Sequence, residues 1–179
     1  MRIIGGKFKN KKISFPKNIK TRPLKDSVRE NIFNILFHSK VIDIDLKNLN
    51  VLDLYAGSGS FGIECLSRNA SKVVFVEKDL DAILNLKKNI HNINLMKNSI
   101  IVSRDVIEFF NKFVLDDYVK FNVIFFDPPY QDISFINSLK TIKNNHFLCK
   151  NHIVIIHRES KSNDNLQKSG LVVLIYLMI

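Results

Sequence analysis

A glycine-rich turn after an apolar run constrains this chain more than any other feature. The run starts at Val51 (VLDLYAGSGSFG), glycines follow at positions 57, 59 and 62, and an apolar-periodic segment comes next. This order predicts a buried strand, a tight turn and a helix. The glycines match G-x-G-x-x-G, and Glu77, twenty residues after Gly57, ends a second apolar run, where an acid commonly binds ribose hydroxyls. The stretch therefore predicts a nucleoside-binding βαβ unit.

The carboxylate of Asp53 separates two classes of nucleoside ligand. It lies at the end of the predicted strand, four residues before Gly57. At short range it would repel a pyrophosphate, the group that a nicotinamide oxidoreductase holds at this turn, and it would attract an ammonium or sulfonium. Asp53 therefore favours S-adenosylmethionine over a nicotinamide cofactor. The alternative is an acid that only caps the turn.

Strands and helices alternate along the rest of the chain, which is typical of an open parallel sheet with helices on both faces. The predicted fold class is α/β, a Rossmann-like, mostly parallel, doubly wound sheet with a small N-terminal β-hairpin. The predicted strands are 51–54, 72–77, 99–103, 121–126, 152–157 and 171–178. The predicted helices are 27–38, 60–69, 79–92, 133–143 and one capped by Asp105.

Acidic residues lie at the carboxyl ends of four predicted strands: Asp53, Glu77, Asp105 and Asp127. In open α/β sheets, ligands bind outside these strand ends, near the point where the strand order reverses. The four acids are therefore expected to converge on one site.

A second motif, Asp127-Pro128-Pro129-Tyr130, follows a strand that is almost wholly apolar. Two prolines fix the backbone and remove two N–H donors, which leaves carbonyl groups as acceptors. A carboxylate, carbonyl groups and an aromatic ring together suit a nucleobase amine, which the acceptors would hold while the ring stacks on the base. The motif predicts methyl transfer to such an amine; the alternative is an ordinary strand exit.

Positive charge is concentrated at the N-terminus. Residues 1–29 contain ten Lys or Arg and one acid, Asp26, whereas the whole chain has a net charge of +10. This distribution predicts a polyanion-binding extension over 1–25, a basic hairpin and linker, attached to a catalytic domain over 26–179. The alternative is a solvated Lys-rich terminus. The candidate nucleic-acid contacts are Arg2, Lys7, Lys9, Lys11, Lys12, Arg22 and Arg29.

Other patterns narrow the class of protein. Cys65 and Cys149 are isolated, and neither they nor the histidines have metal-ligand spacing, so we expect reduced thiols and no metal. The basic N-terminus lacks the apolar segment of a signal peptide, and the apolar run 171–179 is much shorter than the roughly 20 residues of a membrane span. We expect a cytoplasmic protein, monomeric and without a membrane partner.

The glycine turn and Asp-Pro-Pro-Tyr together resemble S-adenosylmethionine-dependent amino-methyltransferases. Further segments resemble the bacterial 16S rRNA (guanine-N2) methyltransferases of the RsmD type, from residue 1 to about residue 159. They are Arg2–Phe8 (RIIGGKF), Thr21–Pro23 (TRP), Asp26–Leu36 (DSVRENIFNIL), Glu64–Arg68 (ECLSR) and Val76–Asp79 (VEKD). Members of the family continue after the sixth strand into a seventh, antiparallel strand, whereas this sequence stops at Ile179.

The resemblance implies a role for each motif residue. The methionine end of S-adenosylmethionine would meet Asp53 and the glycine turn, Glu77 would hold the ribose, and Asp105 would meet the adenine amine. The implied cofactor-binding set is Asp53, Tyr55, Ala56, Gly57, Ser58, Gly59, Glu77, Lys78, Asp79, Asp105 and Val106. The implied catalytic set is Asp127, Pro128, Pro129 and Tyr130. The implied substrate is a guanine of 16S rRNA, free or in an assembling small subunit, with no metal required.

Three other activities fit parts of the sequence. A DNA adenine-N6 methyltransferase shares Asp-Pro-Pro-Tyr, but such enzymes usually carry a target-recognition domain, for which this chain has no room. A glutamine-N5 methyltransferase favours Asn at the position of Asp127 and leaves the basic extension unexplained. A non-catalytic RNA-binding module with the methyltransferase fold is the third alternative, and failure to bind S-adenosylmethionine would favour it.

Overall fold

The computed structural model describes residues 1–16, 24–38, 42, 44–112, 120–129, 132, 134–144, 147–158 and 174–178. Helix α1 spans Asp26–His38, β1 spans Asn50–Leu54, α2 spans Ser60–Ser67 and β2 spans Lys72–Glu77. They are followed by α3 (Leu80–Asn92), a 3₁₀ turn (Met96–Asn98), β3 (Ser99–Ser103) and α4 (Val106–Lys112). The last elements are β4 (Phe121–Phe126), α5 (Phe135–Asn144), β5 (Leu148–Arg158) and β6 (Leu174–Met178).

The strands form one six-stranded sheet in the order β3-β2-β1-β4-β5-β6. Every pair of neighbouring strands in it is parallel. The chain moves outward from β1 in one direction and then returns to its other side with β4, so the order reverses between β1 and β4. The predicted Rossmann-like α/β class is confirmed, and the reversal marks where a ligand crevice is expected.

Successive residues of the central strands point to opposite faces of the sheet, and both faces are apolar. One core contains Val51, Val73 and Phe125 together with apolar residues of α1, α2 and α3. The other contains Leu52 and Val74 together with residues of α4 and α5. Helices therefore cover both faces, as a doubly wound sheet requires. No helix in the described part of the chain is long and apolar enough to span a membrane.

The N-terminal segment is less regular than the predicted hairpin over 2–15. It contains one isolated antiparallel bridge, between Arg2 and Lys12. The backbone N–H groups of Ile4 and Gly5 do not pair with a strand; they donate to the two carboxylate oxygens of Glu64, at 2.8 and 2.7 Å. The backbone N–H groups of Ile3 and Ile13 donate to the carbonyl oxygens of Lys11 and Met1, at 2.9 and 3.0 Å, so the predicted small hairpin is present. It is shorter than 2–15, because a side chain of α2 takes the donors of Ile4 and Gly5.

The predicted nucleic-acid contact at Arg29 is wrong. Its side chain is completely buried on the inner face of α1. The guanidinium donates to Asp26 at 3.0 Å and to the carbonyl oxygen of Arg2, and its Nε atom lies 3.7 Å from Glu64. Burial lowers the pKa of Arg29, and the carboxylates of Glu64 and Asp26 oppose that shift. Arg29 therefore fastens the N-terminal segment to the sheet domain instead of facing solvent.

Candidate active site

A cavity of about 800 Å³ opens at the carboxyl ends of the strands. This volume lies within the range of small-molecule and cofactor sites, about 300–1,000 Å³. Thirteen of the fifteen residues predicted for the cofactor and the catalytic motif line it: Asp53, Tyr55, Ala56, Gly57, Ser58, Glu77, Lys78, Asp79, Asp105, Val106, Asp127, Pro128 and Pro129. The four acids at the strand ends therefore meet in one place. Tyr130 lies outside the described residues.

The two glycines of the turn serve different purposes. Both have positive φ, 55° at Gly57 and 80° at Gly59. A Cβ atom added at Gly57 would meet nothing within 4 Å, so the backbone there is open to a ligand. A Cβ at Gly59 would lie 2.3 Å from the Cδ1 atom of Leu86, and Gly59 is absent from the cavity wall. Gly59 therefore allows the turn to pack on α3, whereas Gly57 gives access to the cavity.

Glu77 organises the loop between β1 and α2. Its Oε2 atom accepts from the backbone N–H of Gly57 at 2.7 Å. Its Oε1 atom accepts from the backbone N–H groups of Lys78 and Asp79, at 2.8 and 2.9 Å. Each carboxylate oxygen has about two acceptor sites, so Oε2 keeps capacity for a ligand hydroxyl.

Asp53 is a buried carboxylate, with 2% of its surface exposed. Its Oδ2 atom accepts from the backbone N–H of Gly62 at 2.9 Å. Burial raises the pKa of Asp53 well above its usual range; the Gly62 bond lowers it, and the negative charges of Asp127 and Glu77 raise it further. Within the described ranges, no Lys, Arg or His forms an ion pair with Asp53. A ligand cation in the cavity would offset this penalty.

The corner after β4 is held by the end of β5. The Nδ1 atom of His157 lies 2.7 Å from the Oδ1 atom of Asp127. The guanidinium of Arg158 donates to the carbonyl oxygen of Pro129 at 2.9 Å, and the backbone N–H of Asp132 donates to the same oxygen at 2.9 Å. Two donors therefore already use the Pro129 carbonyl. Among the described residues, none donates to the carbonyl oxygen of Pro128, which leaves it as an acceptor beside Asp127.

The sequence matches the protein family described as conserved hypothetical protein 95 over residues 1–174. A similar curated protein is the ribosomal RNA small subunit methyltransferase D of Buchnera aphidicola subsp. Acyrthosiphon pisum. The two are 34% identical over 161 residues, which cover 90% of this chain and 79% of that protein. The chain belongs to the RsmD-type methyltransferase family.

Solved structures are similar to this RsmD-type chain. HI0767 of Haemophilus influenzae, described as a methylase, is 27% identical with a TM-score of 0.70, over 91% of this chain and 83% of that one. SMU.776, described as a methyltransferase complexed with SAH, is 16% identical with a TM-score of 0.58, over 73% of this chain and 34% of that one. The second likeness shows the fold alone.

The RsmD-type site also contains residues that the sequence did not reveal. Phe15, Pro16, Leu24, Lys25 and Val28, from the N-terminal segment and α1, form part of the cavity wall. The segment that was predicted only to bind polyanions therefore also encloses the cofactor cavity.

Asn89 of α3, 3% exposed, connects this N-terminal segment to the glycine turn. Its Nδ2 atom donates to the carbonyl oxygens of Ser14 and Ser58, at 3.0 and 3.1 Å, and its Oδ1 atom accepts from the backbone N–H of Ser14 at 3.0 Å. No local pattern signals this role, because Ser14 is 75 residues away along the chain.

Two further polar pairs border the cavity. The Lys78 ammonium lies 3.0 Å from the Oδ2 atom of Asp105. Burial raises the pKa of Asp105, but the bonds from Lys78 and from the backbone N–H of Ile107 outweigh burial, so the pKa lies below its usual range. The Tyr55 hydroxyl donates to Asp132 at 3.4 Å, which links the end of β1 to the loop that follows Pro129.

Five of the seven predicted nucleic-acid contacts are exposed basic residues of the N-terminal segment. Arg2, Lys7, Lys9, Lys11 and Lys12 are exposed, and the ammonium groups of Lys7 and Lys11 lie over the Phe8 ring, at 5.7 and 5.4 Å from its centroid. Arg22 lies outside the described residues.

In the described part of the chain, no group of three or more His, Cys, Asp or Glu side chains is placed to hold a metal ion.

Proposed function

We propose that this protein transfers a methyl group from S-adenosylmethionine to the exocyclic N2 amine of a guanine in 16S rRNA. The observation that carries the proposal is one cavity that contains both Asp53, a buried acid without a cation partner among the residues that the structure describes, and the acceptor corner at Asp127 and Pro128. The similarity to a small-subunit rRNA methyltransferase supports ribosomal RNA as the substrate.

The residues of the cavity fit S-adenosylmethionine. Asp53 would attract the ammonium of its amino acid end, and the open backbone at Gly57 lets the cofactor approach. The Oε2 atom of Glu77 has capacity for a ribose hydroxyl. S-adenosylmethionine is the methyl donor, and when bound it supplies an electrophilic methyl group on a sulfonium centre. The chain's part is to orient that group toward the acceptor corner.

The acceptor corner addresses the weakness of the nucleophile. The lone pair of a guanine amine is delocalised into the ring, so the nitrogen is a poor nucleophile. Two acceptors that hold the two amine hydrogens, the Asp127 carboxylate and the Pro128 carbonyl, would favour the tetrahedral nitrogen that forms as the methyl group arrives. Tyr130, two residues after Pro128, is proposed to stack on the base.

The exposed lysines of the N-terminal segment are proposed to bind RNA phosphates. They carry five positive charges together with Arg2, and the same segment contributes Phe15 and Pro16 to the cavity wall. A guanine in a loop, or one flipped out of its stack, would then reach the cavity with its backbone on this surface. We further propose a monomeric, cytoplasmic enzyme that requires no metal.

The test uses purified protein, labelled S-adenosylmethionine and small ribosomal particles from cells without this activity. We expect label on the N2 atom of a single guanine, identified by nuclease mapping and mass spectrometry of the nucleosides. Parallel reactions offer unmethylated DNA or a release factor in place of the particles. Label only on adenine N6 of the DNA, only on a glutamine side chain of the release factor, or on no acceptor would reject the proposal, and each result selects one of the alternative activities. Free 16S rRNA in a parallel reaction shows whether the assembled particle is needed.

A further inference from the structure

The last two residues of β5 hold both ends of the acceptor corner, which runs from Asp127 to Pro129. His157 contacts the carboxylate of Asp127, and Arg158 donates to the carbonyl of Pro129. We propose that His157 is a positioning residue, whose imidazole fixes the Asp127 carboxylate in the orientation that accepts the substrate amine. This inference rests on the proposed function, because it assigns how the acceptor in that reaction is held.

The hydrogen bond between the two side chains has a defined direction. A carboxylate only accepts, so the proton lies on the Nδ1 atom of His157, and Asp127 receives it on Oδ1. With Oδ1 engaged, Oδ2 is the oxygen left for the amine. A carboxylate without this bond could rotate and present either oxygen, or turn away from the cavity, so the bond selects one arrangement before the substrate arrives.

The surroundings make this bond stronger than a surface contact. The side chain of His157 is 9% exposed and that of Asp127 is 23% exposed. Water competes weakly at such positions, and a hydrogen bond to a carboxylate is charge-assisted. Both residues line the cavity, so the bond lies at the site of the proposed chemistry and not behind it.

The sheet register explains why these two residues meet. Phe126, the last residue of β4, pairs with Ile156 of β5, so Asp127, which follows β4, lies beside His157, which continues β5 along β6. Arg158 is buried, with 1% exposure, and its guanidinium lies over the Phe135 ring at 4.9 Å from the centroid. Arg158 thus fixes the Pro129 end of the corner while His157 fixes the Asp127 end, and the Pro128 carbonyl lies between the two fixed points.

Two substitutions of His157 distinguish the effect of losing the hydrogen bond from the effect of a smaller side chain. His157→Asn places an amide N–H on the atom that corresponds to Nδ1, so it keeps the donor; His157→Ala removes the donor. We expect His157→Ala to lower kcat about 10- to 100-fold, the scale of a lost hydrogen bond to a charged group, with the affinity for S-adenosylmethionine within about threefold of wild type. His157→Asn should stay within about fivefold of the wild-type kcat.

His152→Ala is the matched control, because His152 is on the same strand but bonds to the carbonyl oxygen of Cys149 and is absent from the cavity wall. It should leave kcat unchanged. Cofactor binding by each variant, measured by calorimetry, shows that the variant is folded. Either a His157→Ala variant with wild-type kcat or a His157→Asn variant as slow as His157→Ala would overturn the proposal.

A double-mutant cycle tests whether His157 acts through Asp127. If it does, adding His157→Ala to Asp127→Ala costs no further rate. A second independent loss in the double variant would mean that His157 contacts the substrate or serves the fold alone.

A spectroscopic measurement needs no turnover and so separates this inference from the proposed function. In the ¹⁵N NMR spectrum of the labelled protein, His157 should carry its proton on Nδ1, and Asp127→Ala should change that signal. An imidazole signal that is indifferent to Asp127→Ala overturns the positioning role, even where rRNA methylation is demonstrated. Absence of rRNA methylation by the wild-type protein, with the Nδ1 signal intact, counts against the proposed function only.

Discussion

The backbone N–H of Gly57 donates to the Oε2 atom of Glu77 at 2.7 Å, across twenty positions of the chain. The two residues belong to the turn after β1 and to the end of β2, so this bond joins two neighbouring parts of the cavity wall. Glu77 therefore shapes the loop that exposes the Gly57 backbone and at the same time offers oxygen to a ligand.

Glu77→Gln tests this double role. Three backbone N–H groups donate to the two carboxylate oxygens of Glu77, whereas glutamine has only one acceptor oxygen. In either orientation of the glutamine amide, its NH₂ group would therefore face at least one backbone N–H donor. We expect the dissociation constant for S-adenosylmethionine to rise at least about tenfold in calorimetry, with a lower Tm. Glu30→Gln, on an exposed position of α1, should change neither. Wild-type affinity in Glu77→Gln would reject the assignment of Glu77 to the cofactor.

Asp53→Asn should make the cofactor-free protein more stable at high pH. Burial raises the pKa of Asp53 well above its usual range, so the folded state binds this proton more tightly than the unfolded state. Stability is then lost as pH rises from the ordinary carboxyl pKa of about 3.9 toward the raised value. Asparagine does not ionise, so the variant does not lose stability in this way. The variant should gain at least about 1 kcal/mol at about pH 8, or about 2–4 °C in Tm, and less at about pH 5. Calorimetric unfolding at both pH values measures the difference.

Asp53→Asn should also weaken cofactor binding, because a neutral amide does not attract the ammonium of the amino acid end of S-adenosylmethionine as a carboxylate does. We expect at least about tenfold weaker binding. In the wild-type protein, a bound cation favours the ionised carboxylate, so binding should release a proton and become tighter as pH rises. Binding heats that do not depend on the ionisation enthalpy of the buffer would contradict this linkage.

The cofactor side of the site could be predicted because its signals are local. Glycine spacing gave the turn, apolar runs gave the strands, and the carboxyl ends of parallel strands meet at one edge, so Asp53, Glu77 and Asp127 could be brought together from the sequence. The Gly57 and Gly59 roles could not be separated in this way, because their difference depends on the side chain of Leu86 in α3.

The supporting contacts could not be predicted, because each depends on register or distant packing. His157 meets Asp127 only when β5 pairs with β4 in one register, and Asn89 meets Ser14 only when the N-terminal segment lies on α3. Arg29 was misassigned for a related reason. Charge density along the sequence does not show that the apolar face of α1 carries this arginine inward, where Glu64 and Asp26 meet it.

Asp127→Ala should abolish most turnover without loss of cofactor binding. Removal of one preorganised polar group at a reacting centre costs about 10²–10³ in rate. The measurement is single-turnover methyl transfer to ribosomal particles, with calorimetry for the cofactor. Asp81→Ala removes an exposed acid of α3 and should have no effect. Near-normal turnover by Asp127→Ala would exclude the acceptor role of this carboxylate.

Charge reversal at Lys7, Lys9 and Lys11 should weaken RNA binding and reduce its dependence on salt. Each phosphate contact contributes about −0.7 to the slope of log affinity against log salt concentration for single strands. We expect the slope to become less steep by roughly 2 if all three lysines contact phosphates. Reversal of Lys87, Lys88 and Lys97, exposed on α3 and the 3₁₀ turn, gives the same change in net charge. An equal loss in both triple variants would indicate attraction by net charge and not a defined surface.

Arg29→Ala separates a structural arginine from an RNA-binding one. The substitution removes the buried guanidinium that donates to Asp26 and to the Arg2 carbonyl and lies 3.7 Å from the Glu64 carboxylate. Loss of one partner of a buried pair costs about 3 kcal/mol, which corresponds to a fall of roughly 6–12 °C in Tm. The salt slope of RNA binding, measured well below the Tm, should stay as in wild type, because Arg29 reaches no phosphate. Arg2→Ala, on an exposed side chain, should show the reverse pattern: an unchanged Tm and a slope reduced by about 0.7. A wild-type Tm in Arg29→Ala with a reduced slope would restore the RNA contact that its burial excludes.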